Sequence, residues 1–250
     1  MRLSVCIPMF FKGLPLHEAI KRVAELGYDA CEMWKVSEEV DLSAAAAACK
    51  EYGVEFQAIC TDYFECTGGD AEAYVAGVRS AAEKAKALGA KLLISQVGKD
   101  TGAPAAEQHA NIVRCLKAAI PVLEETGMTI VIEPLNTLVN HKGYYLWSSI
   151  EGFEILREVD HPQIKMVYDI YHQQIMEGNI ITNVTENLPL IAHLHSAGCP
   201  GRHELNNGEN DYKKIFEAID AAGYTGVCGL EYKPLLPPEE SLALTKKLYT

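Results

Sequence analysis

Short apolar runs and helically spaced apolar positions alternate along this chain almost without a break. Leu3–Pro8 is the first apolar run and predicts a strand; Leu16–Leu26 follows with apolar residues at helical spacing and stops at Gly27. The same reading predicts strands at Asp29–Trp34, Val54–Cys60, Lys91–Gln96, Thr129–Glu133, Lys165–Asp169, Ile191–Ser196 and Val227–Glu231. Between them it predicts helices at Ser43–Tyr52, Asp70–Leu88, Ala105–Thr126, Ser148–Val159 and Asp211–Ala222. One or two short helices cover Tyr171–Leu188, and Glu239–Tyr249 closes the chain. Pro104 suits a helix start, where a missing N–H costs little. Pro121 lies well inside the same helical pattern and suggests a kink or a break. A long polar loop runs from Ala197 to Asn210.

A local pattern recurs: helix, glycine, a short spacer, strand. It stands in ELGYDACEMW, EYGVEFQAIC, ALGAKLLISQ, ETGMTIVIEP and AAGYTGVCGLEY. A helix that ends tightly before a strand needs a left-handed residue, which glycine adopts without a Cβ clash. Eight strands, each followed by a helix, with no composition shift or linker, predict an α/β protein with one (β/α)8 TIM barrel spanning residues 1–250. A doubly wound sheet would call for a Gly-rich phosphate turn after the first strand, and Phe10–Gly13 offers none.

Composition narrows the partners. The formal net charge is -12, which disfavours a nucleic-acid or anionic-membrane surface. No apolar stretch approaches the roughly 18 residues needed to span a bilayer, and the N-terminal apolar run is too short for a secretory signal. The eight cysteines form no CxxC pair and no zinc-finger spacing. They read as small buried hydrophobes of a reducing, cytoplasmic protein. Cys60 and Cys199, nearest the strand ends, are the candidates for a reactive thiol.

Four of the apolar runs end on residues with chemistry. Strand 5 ends on Glu133, strand 6 on Asp169, strand 7 reaches His195 and strand 8 ends on Glu231. Barrel active sites lie at the C-terminal strand ends, so these four would share one mouth. Alone, each has a plainer reading: a cap, a surface acid, a core histidine. Together, three carboxylates and an imidazole form an oxygen and nitrogen set suited to one divalent ion such as Mn²⁺, Mg²⁺ or Co²⁺. The cation would offset carboxylate charges that otherwise could not sit so close. His193, two residues earlier on the same strand, faces the same side at a deeper level.

IEPLN at 132–136, YDIYHQQ at 168–174, HLHSAGCPGRHE at 193–204, GENDY at 208–212 and EYKP at 231–234 resemble the hydroxypyruvate isomerase branch of the xylose isomerase-like TIM barrels. LSVCIPMFF near the start and QVGK at 96–99 extend the resemblance over nearly the whole chain. It implies one divalent metal held by Glu133, Asp169, His195 and Glu231, with Glu133 and Glu231 also acting as the acid/base pair. It implies substrate contacts from His172 and Arg202. A guanidinium there would grip a substrate carboxylate; the alternative is a loop arginine paired with Glu204 or Glu209. Lys233 is grouped with these two on the substrate side, where it would either orient the glutamates or cap its strand.

The resemblance also implies a small-molecule substrate and a homo-oligomer, dimer or tetramer. The activity expected is proton transfer beside a carbonyl in a small α-hydroxy carbonyl compound, hydroxypyruvate and tartronate semialdehyde first. No phosphate cradle follows strand 7 or 8, so the substrate is expected to be unphosphorylated. There are departures. The branch carries Gln where this chain has His195, whereas the sugar 3-epimerases of the superfamily carry His. The branch has a His in its third strand, where this chain has Ile59 and Cys60. A ketose 3-epimerase of the D-tagatose, D-psicose or L-ribulose type is therefore the alternative, with an inosose isomerase or dehydratase beside it. A DNA-repair endonuclease on a similar barrel would call for more histidines and a basic face.

Overall fold

The computed structural model describes residues 1–63 and 65–249. Its strands are β1 (Arg2–Cys6), β2 (Ala30–Glu32), β3 in two pieces (Glu55–Phe56 and Ala58–Cys60), β4 (Leu92–Ser95), β5 (Thr129–Ile132), β6 (Ile164–Asp169), β7 (Ile191–Ser196) and β8 (Val227–Leu230). All pair in parallel with their neighbours in chain order, and β8 pairs with β1. The ring closes through β3. Its first piece pairs with β2 and its second with β4. Gln57, at the break, gives its N–H to Cys31 and accepts from the Leu92 N–H. This is the (β/α)8 barrel that the alternating pattern predicts.

Helices cover the outside. Five among the described residues start on a side chain that accepts the N–H three residues on: Asp41, Asp70, Ser148, Asp169 and Asp211. The helix Ala105–Thr126 runs on through Pro121 without a break, against expectation. Pro121 and Lys117 are both exposed, so the carbonyl left without its N–H partner faces water. Leu3–Pro8 is not all strand: Ile7–Phe10 is already a helical turn. No helix among the described residues is long and apolar enough to cross a membrane.

The barrel interior divides into two halves. Ala58, Ile94, Val131 and Val167 form an apolar cluster of their own, while Leu93, Ile130, Ile132 and Tyr168 face the helices in the main core. Strand alternation puts Cys60, Gln96, Glu133 and Asp169 on the same inner face, one step nearer the mouth. On the other side the inner positions include polar and empty ones: Ser4, Glu32, His193 and Gly229.

β7 reaches this phase through a bulge. Met166 pairs with Ile191, but Val167 pairs with His193, so Ala192 is an extra residue opposite β6. Beyond it the register is regular again: Asp169 faces His195, and His195 faces Gly229.

Candidate active site

The mouth of the barrel holds a cavity of about 370 Å³, lined in part by Trp34, Cys60, Gln96, Glu133, His141, Tyr144, His172, His195, Arg202 and Glu231. Glu133, Asp169, His195 and Glu231 converge beside it. One ligand-type atom from each lies within 4.8 Å of the others, and all four residues are buried. The sequence places them at four consecutive strand ends, and the structure brings these ends together.

The three carboxylates are each held by one oxygen and turn the other toward the centre. Glu133 Oε2 accepts from Gln96 Nε2 at 3.1 Å, which leaves Oε1 3.4 Å from His195 Nδ1. Glu231 Oε1 accepts from the Trp34 indole N–H at 2.7 Å, which leaves Oε2 3.1 Å from the same Nδ1. Asp169 Oδ1 accepts from the backbone N–H groups of Tyr171 and His172, capping the helix Ile170–Met176. His195 Nδ1 and Glu231 Oε2 are buried with no aligned hydrogen-bond partner. Such atoms are costly to bury unless a proton or a cation meets them.

The electrostatics agree. Burial works against the Glu231 charge, but Arg202 and His195 hold its pKa well below the usual carboxylate range. Burial raises the pKa of Asp169. Burial disfavours a charged His195, but the carboxylates of Glu32 and Glu231 outweigh it and push the pKa well up. The imidazole therefore sits where positive charge is strongly favoured. Hard oxygens with one imidazole nitrogen fit a divalent cation of the Mn²⁺, Mg²⁺ or Co²⁺ kind, so the residues present suit a metal of the kind that the sequence implies.

His172 and Arg202 stand at the edge of this centre. Burial, aided by Arg202, lowers the pKa of His172 to about 3, so the ring is neutral. Asn136 donates to Nδ1 through its backbone N–H and its side-chain amide. The proton is thus on Nε2, which has no aligned partner and lies 3.5 Å from Asp169 Oδ2. Asn136 in turn accepts from the N–H groups of Val139 and Asn140, so the loop after β5 sets the His172 tautomer. Arg202 Nη2 lies 2.8 Å from Glu231 Oε2, and the guanidinium sits over the Tyr171 ring at 5.3 Å. Glu204 and Glu209 are engaged elsewhere, with Ser241 and Gln174. The loop that carries Arg202 packs tightly on itself: a Cβ at Gly198 would meet the Asn207 carbonyl oxygen at 2.3 Å.

Lys233 stands outside the cavity. Its side chain is exposed. Only its backbone contributes, giving its N–H to the Arg202 carbonyl. Orienting the glutamates falls to Gln96 and Trp34 instead. Cys60 lines the cavity, but burial and the nearby carboxylates push its thiol pKa up, so it stays protonated. Burial raises Cys199 to about 11, and its thiol points to Glu209. Sequence reasoning missed Trp34, Gln96, His141, Tyr144 and Glu32. The available signal was position: Gln96 and Trp34 end predicted strands, and Glu32 is a lone acid inside the apolar run ACEMW.

The fold and this cluster define a xylose isomerase-like barrel, and the profile of the xylose isomerase-like TIM barrel family matches residues 20–248. The chain is 34% identical over 178 residues to the hydroxypyruvate isomerase of Escherichia coli (strain K12), covering 71% of this chain and 69% of that one. A Danio rerio protein provisionally given the same name is 33% identical over 260 residues, covering 97% and 94% of the two chains. The chain belongs to the hydroxypyruvate isomerase branch of this family and is an isomerase. Among solved structures, an AP endonuclease, family 2, from Brucella melitensis superposes with a TM-score of 0.92 at 24% identity, covering 100% and 99% of the chains. The IOLI protein, solved with a bound zinc atom, superposes with a TM-score of 0.82 at 18% identity, covering 99% and 96%. At these identities the two structures attest the fold.

Proposed function

We propose that this chain is a metal-dependent isomerase of a small, unphosphorylated α-hydroxy carbonyl acid, with hydroxypyruvate the leading substrate. The observation that carries the reading is the four-donor centre, where Glu133, Asp169, His195 and Glu231 each bring one ligand-type atom to a common point, all within 4.8 Å of one another and buried. When bound, a divalent cation there supplies Lewis acidity to the carbonyl and hydroxyl oxygens of the substrate and offsets the charge that develops on them.

The chain's own residues then handle protons. One of Glu133 and Glu231 takes a proton from C3 of hydroxypyruvate, and a proton returns at C2. The C3–H bond breaks and a C2–H bond forms, while the hydroxyl proton moves from O3 to O2, giving tartronate semialdehyde. Gln96 and Trp34 fix the two carboxylates for this task. Neutral His172 presents Nε2–H as a donor to a substrate oxygen. Arg202 faces the same space and suits the substrate carboxylate. The cavity, about 370 Å³, fits a molecule of three to six carbons.

The deciding assay is proton NMR in D₂O with Mg²⁺. Tartronate semialdehyde with deuterium at C2 is expected from hydroxypyruvate, and no product under saturating cation would overturn the reading. Fructose, tagatose and ribulose form the second arm. His195, where the branch pattern has Gln, favours an epimerase as the second reading. Turnover of ketoses alone, with return of the proton at the same carbon, would establish it.

Arg202→Ala separates the two. Charge-assisted hydrogen bonds of this kind contribute about 1.5–3 kcal/mol, so kcat/KM for hydroxypyruvate should fall by roughly 10- to 150-fold. A neutral ketose should lose much less. Equal losses on acid and ketose would remove Arg202 from the role of carboxylate clamp.

A further inference from the structure

Below the four-donor centre lies a second cluster that the proposed reaction does not use. Glu32, on β2, is 1% exposed and stands between the two histidines of β7. Its Oε2 accepts a hydrogen bond from His193 Nε2 at 2.9 Å, and its Oε1 lies 2.8 Å from His195 Nε2, short but off the donor axis. The two imidazole rings pack edge to face at 5.0 Å.

The barrel makes room for this carboxylate by leaving a side chain out. Gly229, on β8, pairs with His195 and with Ser4. A Cβ at Gly229 would stand 2.3 Å from Glu32 Oε1 and 2.7 Å from His195 Cδ2. Space for Glu32 is therefore a property of three strands at once.

The two nitrogens of His195 have different neighbours. Nδ1 faces Glu133 and Glu231 at the cavity, and Nε2 faces Glu32. A neutral imidazole carries one proton. Where a cation meets Nδ1 the ring is neutral, and its one proton then sits on Nε2, facing the Glu32 oxygen. We propose that Glu32 is a positioning residue: a carboxylate clamp, braced by His193, that fixes the tautomer and ring angle of His195 so that Nδ1 is presented to the cation centre. A buried carboxylate behind a ligating imidazole raises its basicity and holds its orientation. The 2.9 Å contact to His193 is a hydrogen bond, and the 2.8 Å contact to His195 is a close ion-pair contact without hydrogen-bond alignment. Two oxygens and two nitrogens that close are packed against each other, not around an ion of their own.

This inference rests on the cation reading of the four donors, and the test keeps the two apart. Mn²⁺ binding to the metal-stripped protein is measured by titration calorimetry for wild type, Glu32→Gln, His195→Gln and the double variant. Removal of an outer partner of this kind typically weakens metal binding by ~10- to 100-fold, which is the loss expected for Glu32→Gln. A glutamine at 195 has no second ring nitrogen to be fixed. In the His195→Gln background, Glu32→Gln should therefore change affinity by less than about twofold, a strong non-additivity. A merely structural Glu32 would give the same loss in both backgrounds, and that result would overturn the proposal. So would unchanged affinity in Glu32→Gln, or a stoichiometry of two ions in wild type that falls to one in Glu32→Gln. Wild type that binds no Mn²⁺ would overturn the four-donor reading as well. Should Glu32→Gln not fold, Gly229→Ala displaces the carboxylate without removing it. It should weaken Mn²⁺ binding in wild type and not in His195→Gln.

Discussion

Glu231→Gln should leave no more than about 10⁻³ of wild-type turnover. General acid–base catalysis by a positioned carboxylate contributes typically 10²- to 10⁴-fold, and this residue also offers Oε2 to the cation centre. The glutamine cannot accept a proton, and its effect is worsened by geometry. An amide oxygen can still accept from the Trp34 indole at the Oε1 position. That orientation points the NH₂ group at Arg202 Nη2, 2.8 Å away in wild type, so two donors face each other. The alternative flip faces NH₂ against the indole N–H. Glu133→Gln should fall comparably in turnover but without this conflict, because Gln96 can rotate its own amide to match. The measurement is single-turnover conversion of hydroxypyruvate followed by quench and NMR, with circular dichroism to confirm the fold. Retention of a tenth of wild-type activity in Glu231→Gln would sink the assignment of this residue as acid or base.

Asp169 gives the second large effect, and two variants divide it. Asp169→Ala removes the inward oxygen and also the acceptor for two backbone N–H groups, those of Tyr171 and His172 at 2.7 and 3.1 Å. The lost cap should cost about 1 kcal/mol, lowering the melting temperature of a chain this size by roughly 2–4 °C. Asp169→Asn keeps an oxygen for the cap and should melt within about a degree of wild type. Both should lose Mn²⁺ affinity by more than ~100-fold, beyond the range expected when only an outer partner is removed. Calorimetry and thermal melts on the same samples check the pair. An Asp169→Asn protein that binds Mn²⁺ as tightly as wild type would take Asp169 out of the centre.

Much of this arrangement was legible in the residues because two periods speak plainly. Apolar runs separated by helical spacing announced the barrel, and the runs at 129–133, 165–169, 191–195 and 227–231 carried their polar ends in phase with the mouth. The positions that sequence reasoning missed obey no local period. Trp34 and Gln96 matter for what they touch on other strands, 197 and 37 residues away along the chain. Glu32 meets His193 at a separation of 161 residues. Lys233 looked useful because it follows Glu231, yet two steps along an extended chain past the mouth carry a side chain out to solvent. Pro121 looked disruptive because sequence alone does not reveal that its freed carbonyl faces water.

The extra residue in β7 has a consequence for how the chain tolerates change. Side chains alternate with a period of two, so the inner face of a strand is decided by counting. Ala192 shifts that count by one between Met166 and Val167. Because Ala192 has no partner on β6, its deletion would leave Ile191 opposite Met166 and His193 opposite Val167, a regular ladder with both histidines still inward. Were Ala192 instead paired with Val167, His193 and His195 would turn to the helices and Leu194 would turn inward, taking the imidazole out of the centre while every chemical group in the protein is still present. The identity of the side chains is then only half of the inheritance that a descendant of this barrel must keep; the other half is parity.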